Sequence, residues 1–544
     1  MVLEDSIIFL KSTAPHLDFT TLFYKENMIK KKKDWFKLKK YPHIGRPISI
    51  KDKKRVMSYI LSPENIAKHS FLPFIHKTSL VRKFRKEYNE EGNPIKAEGT
   101  NKIQRVKGQK KRELFYASHL DSLIFSYYSY QLSDKYEKLI KEYKLDEVVC
   151  AYRSIPIDKN NPNSTNKSNI EIANDVFDLI KKYPKDFFCV IAFDITSFFD
   201  NLDHRILREK WEEVLSVDKL PIDHFNIYKN ITRFSYVDLV DIFSFFQDRI
   251  LTQKITTRGI QQPVKRKKIS KIKFLRNQNA IAFCEKKEFL KVKHKLVHSF
   301  KTIKKGDQII PRTFGIPQGS PISATLANIY LVDFDKDINS YIQKIGGHYK
   351  RYSDDIIVIC TYEYRKEVCH FVMEEITKYK LEIQEAKTQV FEFKRENNKL
   401  TCAQIFEDTI NRNKNLTYLG FEFDGESIRL KKSSLSGYYR KMKRYISRAK
   451  FYSYKYEEPI FRRRILKKFS YKGAKRNRKV VWNEVEKRLY KYDTYNYGNY
   501  ITYAKKAISR MPNNKISNQL KKHWKNINKL LKDCHKPILK KVLH

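Results

Sequence analysis

Apolar and polar positions follow several different periods along this chain. Residues 187–193 are an almost unbroken apolar run that ends on a charge at Asp194, the pattern of a buried strand. Residues 349–352 and 356–360 form two more strand-like runs, joined by the tight acidic turn Ser353-Asp354-Asp355. Phe198 and Phe199 follow the first run, and 200–204 predicts a turn into a helix starting near His204. Leu326, Ile329, Tyr330 and Phe334 recur at helical spacing over 323–338, so 315–321, rich in Gly and Pro, predicts a rigid loop feeding a helix.

The flanking segments carry weaker signals. From Arg112 the pattern turns helical, with Leu120, Leu123, Ile124, Tyr127 and Leu132 on one stripe. Residues 148–153 read as a strand, an Asn-rich loop follows over 158–169, and Ile172, Val176, Leu179 and Ile180 mark the next helix. Residues 234–246 are strongly apolar, 306–314 reads as a short hairpin or strand, and 368–379 as a helix. Residues 416–423 read as a strand with a turn at Asp424-Gly425. Beyond Leu435 three apolar stripes, centred on Met442, Ile465 and Trp524, predict packed basic helices. Residues 1–110 show no single period. Their basic run at 31–39, broken by Trp35 and Phe36, suits either a nucleic-acid grip or a solvated helix face.

Charge changes the picture more than composition does. With 111 basic against 61 acidic residues the formal net charge is +50, which opposes compaction and invites a polyanion over a broad footprint. An anionic membrane fits less well, because no continuous apolar span and no signal-peptide pattern occurs. A length of 544 residues allows two to four domains. Seven scattered cysteines, without metal-ligand spacing, fit a reducing compartment.

The candidate chemistry is acidic. If the strand ending at Asp194 lies beside the hairpin carrying Asp354 and Asp355, three carboxylates converge on one sheet face. Such a cluster repels itself unless divalent cations neutralise it, and hard oxygen ligands suit magnesium or manganese rather than zinc. The plainer alternative is ordinary turn aspartates. Arg153, where a strand meets a loop, offers a planar donor fork to a triphosphate, and Gln318 offers an amide from a fixed position.

Five segments, in order, carry a resemblance: AFDITSFFDNLDH at 192–204, GIPQGSPISATLANIYL at 315–331, YSDD at 352–355, EAKT at 385–388 and LTYLGFEF at 416–423. AYR at 151–153 matches less distinctively. The chain resembles bacterial reverse transcriptases related to group II intron and retron enzymes, over roughly 112–430. It is most similar to the stand-alone antiviral-defence enzymes of the abortive-infection and unknown groups. The resemblance implies an α+β right-hand polymerase: a basic N-terminal extension over 1–110, then fingers and antiparallel-sheet palm over 111–430 with an insertion around 235–310. An all-helical basic thumb or C-terminal domain would occupy 431–544.

Carried over residue by residue, Asp194 and Asp354 resemble the main metal ligands, with Asp355 less direct and the Ile195 backbone assisting. Phe199 takes the place of the steric gate against a 2′-hydroxyl, Gln318 packs under the incoming nucleotide, and Lys387 lies near the leaving pyrophosphate. Leu419-Gly420 falls in the primer grip, and Arg153 resembles a fingers residue for the triphosphate. The implied cofactor is magnesium, with manganese as the alternative. Implied partners are an RNA template or dedicated non-coding RNA, the DNA product and deoxynucleotides. A homo-oligomer is left open, no membrane is involved, and the setting is a prokaryotic cytoplasm.

The chain departs from the pattern in its long passage 205–312 between two core motifs, and no paired His or Cys ligands of an endonuclease follow the thumb. The expected function is RNA-directed DNA synthesis in antiviral defence. A protein-primed or template-independent DNA polymerase on the same palm, an RNA-dependent RNA polymerase and an inactive RNA-binding scaffold stand as alternatives.

Overall fold

The computed structural model describes residues 35–532 except 88–94, 102, 159, 162–163, 255–260, 407–408 and 484–487. The basic run at 31–39 is thus only partly within the described residues, as are the N-terminal extension and the C-terminal domain.

Its centre is a six-stranded sheet in the order His348–Tyr352, Asp355–Thr361, Phe187–Asp194, Gln389–Glu396, Lys399–Phe406, Thr409–Asn411. Every neighbouring pair in it is antiparallel. The apolar run at 187–193 is explained by two cores rather than one. Cys189, Ile191 and Phe193 enter the first, and Phe188 and Val190, on the opposite face of the pleat, enter the second. The neighbouring strand repeats the alternation, with Ile356, Val358 and Cys360 in the first core and Ile357 and Ile359 in the second.

Helices His119–Glu142, His204–Leu215, Ser323–Tyr330, Val332–Lys344 and Arg365–Lys378 supply most of the first core. The second is closed by helix Asn169–Lys182, the small sheet Leu416–Tyr418, Phe421–Phe423, Ile428–Leu430, and helix Tyr500–Arg510. Asn169–Lys182 begins with a reciprocal capping box between Ser168 and Glu171 and ends on Lys181 and Lys182, both favourable to a helix dipole.

The passage 205–312 is not an independent outgrowth. Strand Ser235–Asp238 pairs in parallel with the start of Phe74–Lys86, which forms a long antiparallel hairpin with Arg105–Tyr116. Strand Ala280–Cys284 pairs with His43–Ile44. A third core then unites Ile44 and Ile75 with Val237, Ile242, Phe246, Ile250 and Phe283. N-terminal segment and insertion therefore fold on each other, and a boundary at 110 falls inside strand Arg105–Tyr116.

Several local expectations need correction. The stretch after Arg112 stays extended to Tyr116, and the helix begins at His119, where Ser118 caps it. Residues 148–153 are turns with one parallel bridge from Val149 to Arg351, because Tyr152 adopts a left-handed backbone. The helix over 323–338 is two helices meeting at Leu331. The C-terminal region is not all-helical: Ala474–Asn483 and Arg488–Tyr497 form a two-stranded hairpin, in keeping with their Val, Trp and alternating Tyr residues. A mixed α+β architecture holds throughout. Among the described residues no helix is long and apolar enough to cross a membrane.

Candidate active site

Antiparallel register places Asp355 directly opposite Asp194 at the end of the two central strands. Tyr352 pairs with Asp355, so the hairpin loop consists of Ser353 and Asp354 alone, and Ser353 takes the left-handed conformation that so tight a turn requires. The Ile195 N–H then donates to the Asp354 carbonyl at 3.1 Å, tying the turn to the residue after Asp194. The three aspartates are thus brought to one end of the sheet by main-chain geometry.

Their electrostatics agree with that placement. Burial pushes Asp355 from 3.8 up to about 6, and the charges of Asp354 and Asp194 push the same way, opposed by Lys431 and Lys387. Lys387 donates to Asp194 Oδ1 at 2.6 Å from the short turn Glu385–Lys387. That turn is fixed by Gln384 N–H on the Asp194 carbonyl at 2.9 Å. Cationic charge is therefore drawn to these carboxylates from two separate segments. A crowded, oxygen-only donor set of this kind fits a hard divalent cation.

A testable consequence concerns pH. Because Asp355 is raised in the fold, its contribution to stability is fully present below about 3.8 and is lost as pH rises through about 6. In metal-free protein, Asp355→Asn is expected to stabilise the fold at pH 7.5 by about 2 kcal/mol, with the gain vanishing toward pH 4. Thermal melts in a chelating buffer at both pH values check this.

Two glycine-containing turns set the loop at 315–321. Ile316 N–H donates to the Phe199 carbonyl at 2.9 Å and Gly315 N–H to the Leu202 carbonyl at 2.8 Å. A Cβ on Gly315, whose φ is +90°, would meet the Asp200 carbonyl oxygen at 2.8 Å. Gly319, at φ +117°, approaches the Phe115 main chain equally closely, and the Gln318 carbonyl accepts from Phe115 N–H at 2.8 Å. Phe199, in the short helix Phe198–Asn201 that follows the strand of Asp194, and Gln318, in the loop tied to Arg105–Tyr116, are accordingly laced together.

Leu419 and Gly420 form the turn between Leu416–Tyr418 and Phe421–Phe423, both with positive φ, so 416–423 is a hairpin rather than one strand. Gly420 accepts from Lys431 N–H at 3.0 Å. Tyr418 is pushed far above its ordinary range chiefly by burial, with Cys150 and Asp355 adding in the same direction.

Arg153 is a correction. Its side chain is only 6% exposed and pairs with Glu137 through Nε and Nη2 at 2.9 and 2.8 Å. Nη1 donates to the carbonyls of Asp146 and Val149, both at 2.6 Å. A fork engaged in this way braces the turns at 146–153 and is not presented to a triphosphate.

Other supports carry no local signal in the sequence. Arg351, fully buried, donates through Nε and Nη2 to the two oxygens of the equally buried Asp335, at 2.6 and 2.5 Å. Tyr349 donates to the same carboxylate, and Arg351 Nη1 reaches the Ser353 carbonyl at 3.2 Å. Tyr152 and Ser353 share a hydroxyl contact at 3.1 Å, and the His204 ring meets the Gly315 carbonyl at 2.8 Å. Only the pairing of strands and helices shows these residues to be neighbours.

A separate group, Asp238, Asp241 and His298, places one ligand atom from each within 4.8 Å of the others and could form a metal-binding site. It belongs to the sheet of Phe74–Lys86 and Ser235–Asp238, not to the six-stranded sheet of the three aspartates.

Residues 275–423 match the family model described as reverse transcriptase (RNA-dependent DNA polymerase). The chain therefore carries a reverse-transcriptase, or nucleotidyltransferase, domain; the matched span includes Gln318, Asp354, Asp355, Lys387, Leu419 and Gly420. A search of curated proteins gives no match. Among solved structures, apo telomerase from Candida tropicalis truncated from its C-terminal domain is 12% identical, with 60% of this chain and 53% of that one covered and a TM-score of 0.32. Telomerase from Candida albicans with a TWJ fragment of telomeric RNA is 14% identical, with 70% and 49% covered and a TM-score of 0.31. The chain spans about half the length of these telomerases.

Proposed function

We propose that the domain is an RNA-directed DNA polymerase, extending a primer by phosphoryl transfer at Asp194, Asp354 and Asp355. The observation that carries this reading is the pairing of Asp355 with Asp194 and of the Asp354 carbonyl with Ile195 N–H. The six-stranded sheet serves as palm, the hairpin of 74–116 with its partner strands as fingers, and 432–532 as a basic thumb holding duplex through its backbone.

Asp194, Asp354 and the Ile195 backbone would hold magnesium or manganese, with Asp355 completing the charge. When bound, the cations supply acidification of the primer 3′-hydroxyl and compensation of charge on the triphosphate. Lys387, released from Asp194, neutralises the departing pyrophosphate electrostatically. Gln318 lies under the nucleotide and template, and Leu419-Gly420 positions the primer end.

Phe199 crowds a ribose 2′-hydroxyl. Phe199→Ala is expected to raise ribonucleotide use relative to deoxynucleotide use by about tenfold or more. Competitive incorporation with paired nucleotides measures this, and an unchanged ratio would remove the gate.

The biological reading is cytoplasmic antiviral defence in a prokaryote, with a non-coding RNA as template. Sequencing the nucleic acid that copurifies with active protein tests it. A defined RNA with complementary DNA supports the proposal; a homopolymer without RNA complement, or DNA covalently attached to a tyrosine, would replace it with untemplated or protein-primed synthesis.

A further inference from the structure

A cavity of about 700 Å³ lies where the start of helix His204–Leu215, the end of helix Ile222–Thr232 and the hairpin Thr302–Lys305/Gln308–Pro311 meet. Nothing in the polymerase reading uses it. Six cationic side chains line it: Arg205, Arg208, Arg233, Lys301, Arg312 and Lys380. Three are compensated, Arg205 by Glu209 and Arg208 by Glu212 at 2.9 Å, and Lys380 by Asp203 at 2.7 Å. Among the described residues, Arg233, Lys301 and Arg312 have no carboxylate within ion-pair distance.

Arg312 is the least satisfied of the three. Its guanidinium lies 4.0 Å from the Phe300 ring centroid and 5.5 Å from that of Phe314, and its Nε is buried without a hydrogen-bond partner. Desolvation lowers its affinity for the proton, and Tyr236 and the more distant carboxylate of Asp200 offset this only in part, so a bound anion would relieve the remaining cost. Stacking on the rings holds the guanidinium while no carboxylate pairs with it directly, an arrangement suited to phosphate oxygens.

The distribution of the cations limits the ligand. They arise from separate chain segments around one cavity rather than along a line, which favours a compact multivalent anion over an extended backbone. Three cations without a directly paired carboxylate suit a compact anion that carries several negative charges.

We propose that this cavity binds a terminal polyphosphate, carried by a free nucleotide or by the 5′ end of an RNA, at a site distinct from the aspartates. The site does not depend on the polymerase reading. It has a route to that centre nonetheless: Arg312 immediately precedes Thr313, whose carbonyl accepts from His204 N–H at 2.8 Å, and the loop beginning at Gly315.

The test titrates the full chain with inorganic tripolyphosphate in a chelating buffer, which keeps cations away from the aspartates. Wild type is expected to show saturable binding that weakens tenfold or more in Arg233→Gln/Lys301→Gln, whose altered side chains are exposed, and in Arg312→Lys, which keeps charge but loses the fork. Lys135→Gln/Lys138→Gln, with the same loss of charge at exposed positions of helix His119–Glu142, is expected to bind as wild type does. Absence of saturable binding, indifference to the cavity variants, or equal weakening in the control would each overturn the proposal. The source is read by comparing 5′-triphosphorylated with 5′-hydroxyl RNA of one sequence. A tenfold preference lost in the cavity variants assigns the RNA end; equal RNA binding with displacement of tripolyphosphate by ATP assigns the free nucleotide.

Discussion

Asp354→Ala combined with Asp355→Ala is expected to lower deoxynucleotide incorporation by about 10³-fold or more, with RNA affinity unchanged within about threefold. The size of the loss follows from where charge develops. A triphosphate under attack accumulates negative charge at the bridging oxygen, and the cations that would offset it would have only the Asp194 carboxylate and the Ile195 backbone left to hold them. Binding, by contrast, draws on a net charge of +50 spread over the chain, from which removing two negative charges subtracts nothing. Primer extension with a labelled nucleotide, alongside filter binding of the same RNA, separates the two. Incorporation at the wild-type rate would take the reaction away from this hairpin.

Breaking the buried pair behind that hairpin should be the costliest single change to stability. Asp335→Ala strands the guanidinium of Arg351, which is 0% exposed, and unpairs the Tyr349 hydroxyl at the same time. An uncompensated buried charge costs about 3–5 kcal/mol, whereas replacing both partners by apolar groups is often close to neutral. Asp335→Leu with Arg351→Met is therefore expected to be more stable than Asp335→Ala alone, which urea denaturation reads directly. The double variant should nonetheless be a poor enzyme, since Arg351 Nη1 also holds the Ser353 carbonyl that shapes the acidic turn.

What the sequence makes legible here is what local chemistry decides. An apolar run ending on Asp194, an acidic two-residue turn and a loop of Gly and Pro each have one economical conformation, and together they predict the centre of the fold. The segment 148–153 looks equally apolar, yet its fate rests on Arg153 finding Glu137, sixteen residues away across a helix. Leu419 breaks a run that is otherwise uniformly strand-like, because the hairpin needs a left-handed residue there and only the position of its neighbours demands it. Asp335 and Arg351 are ordinary charges in an amphipathic helix and a strand until the two pack together. The insertion illustrates the same limit: its strands find partners at His43–Ile44 and Phe74–Lys86, separations that no local period encodes.

The second core has a bearing on how the protein comes into being. Its members include Ala504, Ala507 and Met511, synthesised long after Val190, Ile357 and Ile359 of the same core. At roughly 5–20 residues per second, a nascent chain spends seconds with that core lacking its last helix after the acidic hairpin has left the ribosome. During that interval the apolar residues that await this helix are a place for a chaperone to hold.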